Sequence, residues 1–324
     1  MIARLIDWSL GNRLVVLIAC AILAIWGVVA ARHTALDAIP DLADVQVIIK
    51  TPFPGQPPQI VEDQVTYPLT AVLLSVPGTR AVRGFSMFGE SFIYVVFRDG
   101  TDPYWARSRV LEYLSQSVAR LPLGITPTLG PDASSVGWVY QYTLVDHSGK
   151  RDTFELRALQ DFFLKYELQS VPGVAEVATI GGAAKQFQIE IDPNRLAAYG
   201  LSFERVAEAV RAANQSGGGS VIEMARTEYM VRANAYLQNI DDLRQVVVGQ
   251  DVKNFPVKLA QIADVHLGPE ARRGVADLDG KGETVGGIIV MRYGQNALDT
   301  VSAVKARLKE LQSGLPEGVE IVTT

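Results

Sequence analysis

The chain reads as an α+β protein: one N-terminal transmembrane helix, then two ferredoxin-like βαββαβ units, the second interrupted by an inserted α+β segment. Three observations predict this. Leu14 to Ala31 (LVVLIACAILAIWGVVAA) runs 18 residues without a charge. Ser75-Val-Pro-Gly78 recurs 95 residues later as Ser170-Val-Pro-Gly173, and Leu121-Pro-Leu-Gly124 recurs 194 residues later as Leu315-Pro-Glu-Gly318. Around these landmarks, β-branched runs alternate with helix-periodic ones in the order strand, helix, strand, strand, helix, strand.

The apolar run comes first. At about 1.5 Å per residue it just crosses a hydrocarbon core of about 30 Å. Arg4 and Arg13 precede it, and Asp37, Asp41 and Asp44 follow it. The positive-inside rule therefore puts the N-terminus in the cytoplasm and everything after Arg32 outside. A cleaved signal peptide competes with this, because Val29 and Ala31 suit a cleavage site. The run exceeds the usual ~7–15 residues of a signal core, and Trp26 stands where an interfacial aromatic would hold a retained helix. An uncleaved anchor within residues 1–36 is the expectation. No second apolar run of ~18 residues follows it in this sequence.

The first unit is expected over residues 37–133. Val45 to Thr51 is β-branched and strand-like. Pro58 to Leu74 places Val61, Val65, Leu69 and Leu73 four apart, a helix that Pro68 should kink. A strand led by Thr79 to Val82 turns at Gly89-Glu90 and returns as Phe92 to Phe97. Asp102 and Pro103 open the next helix as N-cap and first-turn proline. Leu111, Leu114, Val118 and Leu121 form its expected apolar face, and Ile125 starts the closing strand.

The second unit repeats the order: Val136 to Val145, Thr153 to Ser170, Val174 to Ile180, Val285 to Arg292, Asn296 to Ser313, Val319 to Thr323. The step in offset from 95 to 194 means that 99 residues entered this copy. Its parts are therefore 134–183 and 284–324, with the insertion at 184–283. Within the insertion, Gln186 to Ile191, Tyr229 to Arg232 and Val257 to Val265 read as strands. Arg195 to Gly200, Phe203 to Ala213 and Asp241 to Leu243 read as helical, and Gln215 to Ser220 as a glycine-rich turn.

Composition narrows the chemistry. Hydrophobic residues make up 48% of the 324, which supports buried cores and excludes a disordered chain. With 35 acidic and 30 basic residues the net charge is −5, against a basic nucleic-acid-binding surface. One cysteine excludes a disulfide framework and a thiolate zinc site. Three histidines and five methionines are too sparse for a dense metal site, so no metal ligand and no cofactor are assigned. No Ser/His/Asp or Cys/His arrangement suggests nucleophilic catalysis, so no catalytic residue is named and a non-enzyme is expected. Gln215-Ser-Gly-Gly-Gly-Ser220 lacks the lysine and the strand-to-helix setting of a phosphate loop.

Longer motifs carry a resemblance. Asp37-Ala-Ile-Pro-Asp41-Leu-Ala-Asp44-Val-Gln-Val, Pro54-Gly55, Val65-Thr-Tyr-Pro-Leu69 and Asp99-Gly-Thr-Asp102-Pro-Tyr-Trp-Ala106-Arg are among them. So are Gly130-Pro-Asp132 and Gly268-Pro-Glu270-Ala271-Arg272-Arg273-Gly274. Together they resemble the first periplasmic loop of heavy-metal efflux permeases of the resistance-nodulation-division class, the CusA/CzcA family. Val136-Gly137-Trp138 and Leu159-Gln-Asp161-Phe-Phe-Leu-Lys165-Tyr-Glu167-Leu look more like its copper/silver branch than its divalent-cation branch.

The resemblance implies the N-terminal part of a longer, proton-driven inner-membrane antiporter with two periplasmic porter subdomains and a docking subdomain. It implies a homotrimer joined to a periplasmic adaptor and an outer-membrane channel, exporting Cu(I) or Ag(I) bound mainly by regions outside this sequence. Arg83 would line the substrate cleft of the first porter lobe, the alternative being a surface arginine on a half-exposed sheet. Gln215, Gly217, Gly218 and Gly219 would lie in a docking hairpin that reaches a neighbouring protomer, the alternative being an ordinary flexible loop. Ala271 departs from the methionine that copper/silver members can carry there, which leaves zinc, cobalt or cadmium open.

Other residues read more plainly. Asp37, Asp41 and Asp44 suit a solvated linker. Met224 and Met230, six apart, could meet as soft ligands but more ordinarily fill gaps in a core. Met87 and Met291 are expected on core faces. His33, His147 and His266 are too scattered to share a metal. A multidrug permease would want a phenylalanine-rich pocket, and the 11 phenylalanines here fall mostly on expected core faces. A self-contained membrane-anchored periplasmic adaptor or binding protein is the remaining rival; an adaptor would want sustained heptads, and none appear.

Overall fold

The computed structural model of the chain describes residues 2–33, 43–134, 136–224, 226–234, 236–251, 253–270 and 274–324. Asp37, Asp41, Ala271, Arg272 and Arg273 lie outside these. Helix α1 (Ile2–Gly11) precedes α2 (Arg13–His33), which carries the apolar run. Among the described residues, α2 is the one helix long and apolar enough to cross a membrane.

Beyond them come β1 (Gln46–Pro52), β2 (Thr79–Met87), β3 (Glu90–Phe97), β4 (Thr128–Leu129), β5 (Trp138–Asp146) and β6 (Val174–Gly181). Strands β7 (Lys185–Ile191), β8 (Ser216–Met224), β9 (Thr227–Asn234), β10 (Val247–Gln250), β11 (Pro256–Lys258) and β12 (Ala263–Pro269) follow, then β13 (Val285–Met291) and β14 (Val319–Thr323). Two compact units result. One holds Met1–Ser148, Gln160–Ile180 and Val285–Thr324; the other holds Gly149–Leu159 and Gly181–Thr284.

The first unit contains two four-stranded sheets, ordered β2-β3-β1-β4 and β14-β5-β13-β6. Counted within each copy, both run second, third, first, fourth from one edge. In the first sheet Val47, Ile49, Ile93, Val95 and Phe97 are buried beneath Leu69, Leu73, Ala106 and Val110 of the helices. Alternation along each strand puts these side chains on one face.

The helices depart from expectation in three ways. Pro58–Leu73 is not one regular α-helix. A π turn over Glu62–Thr66 widens the helix just ahead of the proline, whose missing N–H cannot complete a regular ladder. The second copy also carries a π turn, Gln160–Leu164, without any proline, so proline is not its only cause. The helix Pro103–Ser117 begins as expected, with Asp102 Oδ1 accepting from the N–H groups of Tyr104 and Trp105 at 2.7 and 3.2 Å. Its buried face, however, is Ala106, Val110, Leu114 and Ser117. Leu114 and Leu121 of the expected face are buried, but Leu111 is 56% exposed and Val118 also faces out. The expected face was anchored on the largest residues, whereas the sheet lies close enough to select Ala106. The closing strand shrinks to Thr128–Leu129 rather than starting at Ile125.

In the second sheet every residue of β13 is buried, and Gly286 and Gly287 stand opposite Thr143 and Tyr142 of β5. The Tyr142 ring folds over Gly287, and its hydroxyl donates to Gln160 Oε1 in the π turn at 2.8 Å. Burial pushes the Tyr142 phenol well above its usual range, so it stays a neutral donor.

The second unit packs Val206, Leu243, Val248, Leu259, Ile262 and Val265 into a core of its own. Its strands pair as β7 with β12, β8 with β9 and β10 with β11. The stretch Val257 to Val265, expected as one strand, is two strands separated by the helical turn Leu259–Ile262. Because this core is separate, replacing residues 184–283 by a short Gly/Ser linker is expected to leave both four-stranded sheets folded. Circular dichroism and limited proteolysis check this; loss of protection across Trp138–Asp146 would refute it.

Candidate functional site

The outward face of the first sheet is the site that strand alternation builds. Register stacks its side chains in rows: Arg83 beside Tyr94 and Ile48, Phe85 beside Phe92 and Lys50, Met87 beside Glu90 and Pro52. Phe85 and Tyr94 meet edge to face, with centroids 5.5 Å apart and planes at 84°. The Lys50 ammonium lies 5.6 Å from the Phe92 ring centroid and 3.2 Å from the Glu90 carboxylate. Arg83, Phe85, Met87, Phe92 and Tyr94 line a shallow, open concavity, with Gln46 at its border.

Large side chains face out here because the inner face has little room. Gly84, Ser86 and Ser91 point toward the π turn. A methyl group on Gly84 would sit 2.5 Å from Thr66 Cγ2. Thr66 Oγ1 accepts from Ser86 Oγ at 2.9 Å and lies 2.7 Å from Ser91 Oγ. Met87, expected in the core, is accordingly 49% exposed on the outer face. The small, polar set Gly84, Ser86, Ser91 was the signal in the sequence that could have assigned the faces. Met291 is buried, as expected.

Arg83 is exposed and makes no ion pair or hydrogen bond among the described residues. Its guanidinium is therefore free to receive a carboxylate beside an aromatic floor and a thioether. The neighbouring Arg80 is engaged, 3.3 Å from Asp44.

The other expected residues lie in the second unit. Gln215 is exposed just before β8, and Gly217, Gly218 and Gly219 lie within that strand rather than in a turn. Gly217 pairs with Ala233 and Gly218 with Arg232, and the register slips before Val221 pairs with Met230. The chain reverses instead at Arg226, whose φ is +65°. Met224 pairs with Thr227, three residues from Met230, so the two methionines project from opposite faces of the ribbon and do not converge. Among the described residues no group of three or more His, Cys, Asp or Glu is arranged to hold a metal ion.

The AcrB/AcrD/AcrF family model matches residues 5–324. The chain belongs to that family. Relatives of this AcrB/AcrD/AcrF family chain include the cation efflux system protein CusA of Escherichia coli (strain K12), 57% identical over 324 residues, all of this chain and 31% of that protein. The cobalt-zinc-cadmium resistance protein CzcA of Cupriavidus metallidurans is 35% identical over 330 aligned residues, again all of this chain and 31% of that protein. A solved heavy metal efflux pump superposes with a TM-score of 0.86 at 33% identity, over 98% of this chain and 32% of that one. The chain thus spans about a third of the length of the curated relatives it matches.

Proposed function

We propose that the chain is the N-terminal portion of a proton-driven heavy-metal efflux permease of the bacterial inner membrane, exporting Cu(I) or Ag(I). The observation that carries this is the 57% identity to CusA across all 324 residues, against 35% to CzcA. The two four-stranded sheets, which share one strand order, are read as ferredoxin-like porter subdomains at 37–133 and at 134–183 with 284–324. Arg83 lines the periplasmic cleft on the outer face of the first. Residues 184–283 form the docking subdomain, and the β8–β9 ribbon with Gln215, Gly217, Gly218 and Gly219 reaches a neighbouring protomer of a homotrimer. The trimer joins a periplasmic adaptor and an outer-membrane channel. Arg4 and Arg13 keep the N-terminus cytoplasmic, which leaves the bulk periplasmic. Soft thioether ligands for a monovalent cation come mainly from outside this sequence.

A graft tests the reading. Residues 1–324 replace the matching part of CusA in an E. coli strain lacking its own CusA. Copper and silver tolerance is expected to return. Tolerance to zinc, cobalt or cadmium alone, with the hybrid present in the membrane, would overturn the metal assignment.

A further inference from the structure

Strand register gathers four exposed aromatic residues at one end of the two four-stranded sheets. β1 begins at this end and β3 finishes there, with Gln46 opposite Val96 and Thr79 of β2 opposite Phe97. The helix Pro103–Ser117 starts there too, since residues 98–102 alone separate it from β3. In the second sheet the matching end holds the start of β5 and the finish of β13, with Trp138 opposite Val290. The two sheet ends meet. The Tyr293 N–H donates to the Asp132 carbonyl at 3.0 Å, and Tyr104 and Tyr293 line one narrow hollow with Gln46 and Asp132.

Tyr104, Trp105, Trp138 and Tyr293 are 50%, 44%, 66% and 43% exposed at this end. The chain has four tryptophans, and Trp8 and Trp26 belong to α1 and α2. The other two are therefore both here and both uncovered. Trp105 is held in place, its ring 3.7 Å from where a methyl on Gly78 would sit. Tryptophan is on average well buried, so a bare pair flanked by tyrosines marks an interaction surface.

Two observations choose the partner. Tryptophan and tyrosine, each an apolar ring with one polar atom, concentrate at membrane–water interfaces. Chain continuity keeps this end near α2: Ala43 lines the same hollow, and the ten residues from His33 to Ala43 reach at most about 36 Å fully extended. The charges beside the rings are paired, Arg80 with Asp44 at 3.3 Å and Arg292 with Asp132 at 3.7 Å, so the attraction comes from the rings.

We infer that this end of the sheets rests on the phospholipid headgroup layer where α2 leaves the membrane, with Trp105 and Trp138 inserted among the headgroups and Tyr104 and Tyr293 beside them. The inference depends on reading Arg13–Ala31 as a membrane span. In that layer each ring sheds water from its apolar face while its N–H or O–H keeps a polar partner.

Tryptophan emission of the full chain tests this in phosphatidylcholine nanodiscs, with or without bromine on the upper acyl chain. Trp8→Phe with Trp26→Phe leaves Trp105 and Trp138 as the reporters. Bromolipid is expected to quench their emission, and aqueous iodide to leave it nearly unchanged. Quenching by iodide without quenching by bromolipid would overturn the inference, leaving this end in water. Shielding from both would overturn it in favour of a protein partner. Phe88→Trp, with the four native tryptophans replaced by phenylalanine, reports the opposite end of the first sheet at the exposed turn between β2 and β3. Iodide is expected to quench that reporter; bromolipid quenching there would overturn the inference, because no one end would then face the lipid. Trp26 as the sole tryptophan reports the span separately: without bromolipid quenching there the span itself fails, and the inference with it.

Discussion

Gly286→Ala is expected to unfold the second sheet. A methyl group at this position would lie 2.1 Å from the Tyr142 carbonyl oxygen and 3.0 Å from Thr143 Cα. Both are backbone atoms of the neighbouring strand, so no rotamer change relieves the clash. The two strands would have to part at the middle of the sheet, where β13 is wholly buried. Ordinary overpacking of a core costs about 1–3 kcal/mol because side chains and backbone give a little. Here the loss should exceed about 3 kcal/mol, the upper end of that range. Gly274→Ala is the control, since no described residue lies within 4 Å of its added methyl. Thermal melting of the detergent-solubilised chain and protease protection of Trp138–Asp146 check both. An unshifted melt for Gly286→Ala would mean that β5 and β13 are not paired as described.

Phe97→Ala is expected to be the costliest single truncation in the first sheet. Phe97 is fully buried among Val95, Leu73 and Ala106 and contributes the largest apolar side chain there. Truncations of this kind cost about 3–5 kcal/mol, part transfer and part cavity. Leu111→Ala, at a position that helical periodicity alone assigns to the core, should fall within about 0.5 kcal/mol because Leu111 faces solvent. Urea denaturation followed by circular dichroism compares the two. Equal losses would restore the face drawn from periodicity and refute the packing described.

That contrast shows where sequence reasoning succeeds and where it fails. Order and type of the elements were legible because repeated landmarks, the Asp102-Pro103 cap and the β-branched runs are local signals. The insertion rests on a jump in repeat offset alone. Faces were less legible. Leu111 and Met87 are large and apolar, and periodicity weighs them as core. The deciding facts are the smallness of Ala106, Gly84, Ser86 and Ser91, which let backbone approach backbone. Small residues carry no hydrophobic signal of their own. The stretch Gln215 to Ser220 failed for a related reason: glycines mark turns by composition, yet the partner strand Thr227–Asn234 pairs them into a ribbon. Arg83 was legible as a candidate through the resemblance, which sets its strand at the cleft of the first porter lobe. Its aromatic and thioether neighbours were not, since cross-strand register is invisible along a single strand.

The place where the insertion enters has a bearing on how such a chain could change over generations. It leaves after β6 and returns before β13, and these two strands are neighbours in the sheet. Neighbouring strands lie about 4.8 Å apart, so both ends of the inserted segment are pinned at nearly one point. From there, lengthening or shortening it alters closure entropy only logarithmically, about 0.6 kcal/mol per doubling. Mutational drift inside the segment is thereby insulated from the register of the host sheet. A lineage could lengthen, trim or exchange the whole segment as a cassette, provided that Gly181 is kept: at φ +70° its added methyl would meet the Thr284 carbonyl at 2.0 Å. That one glycine is the seam along which inheritance of the two parts can be uncoupled.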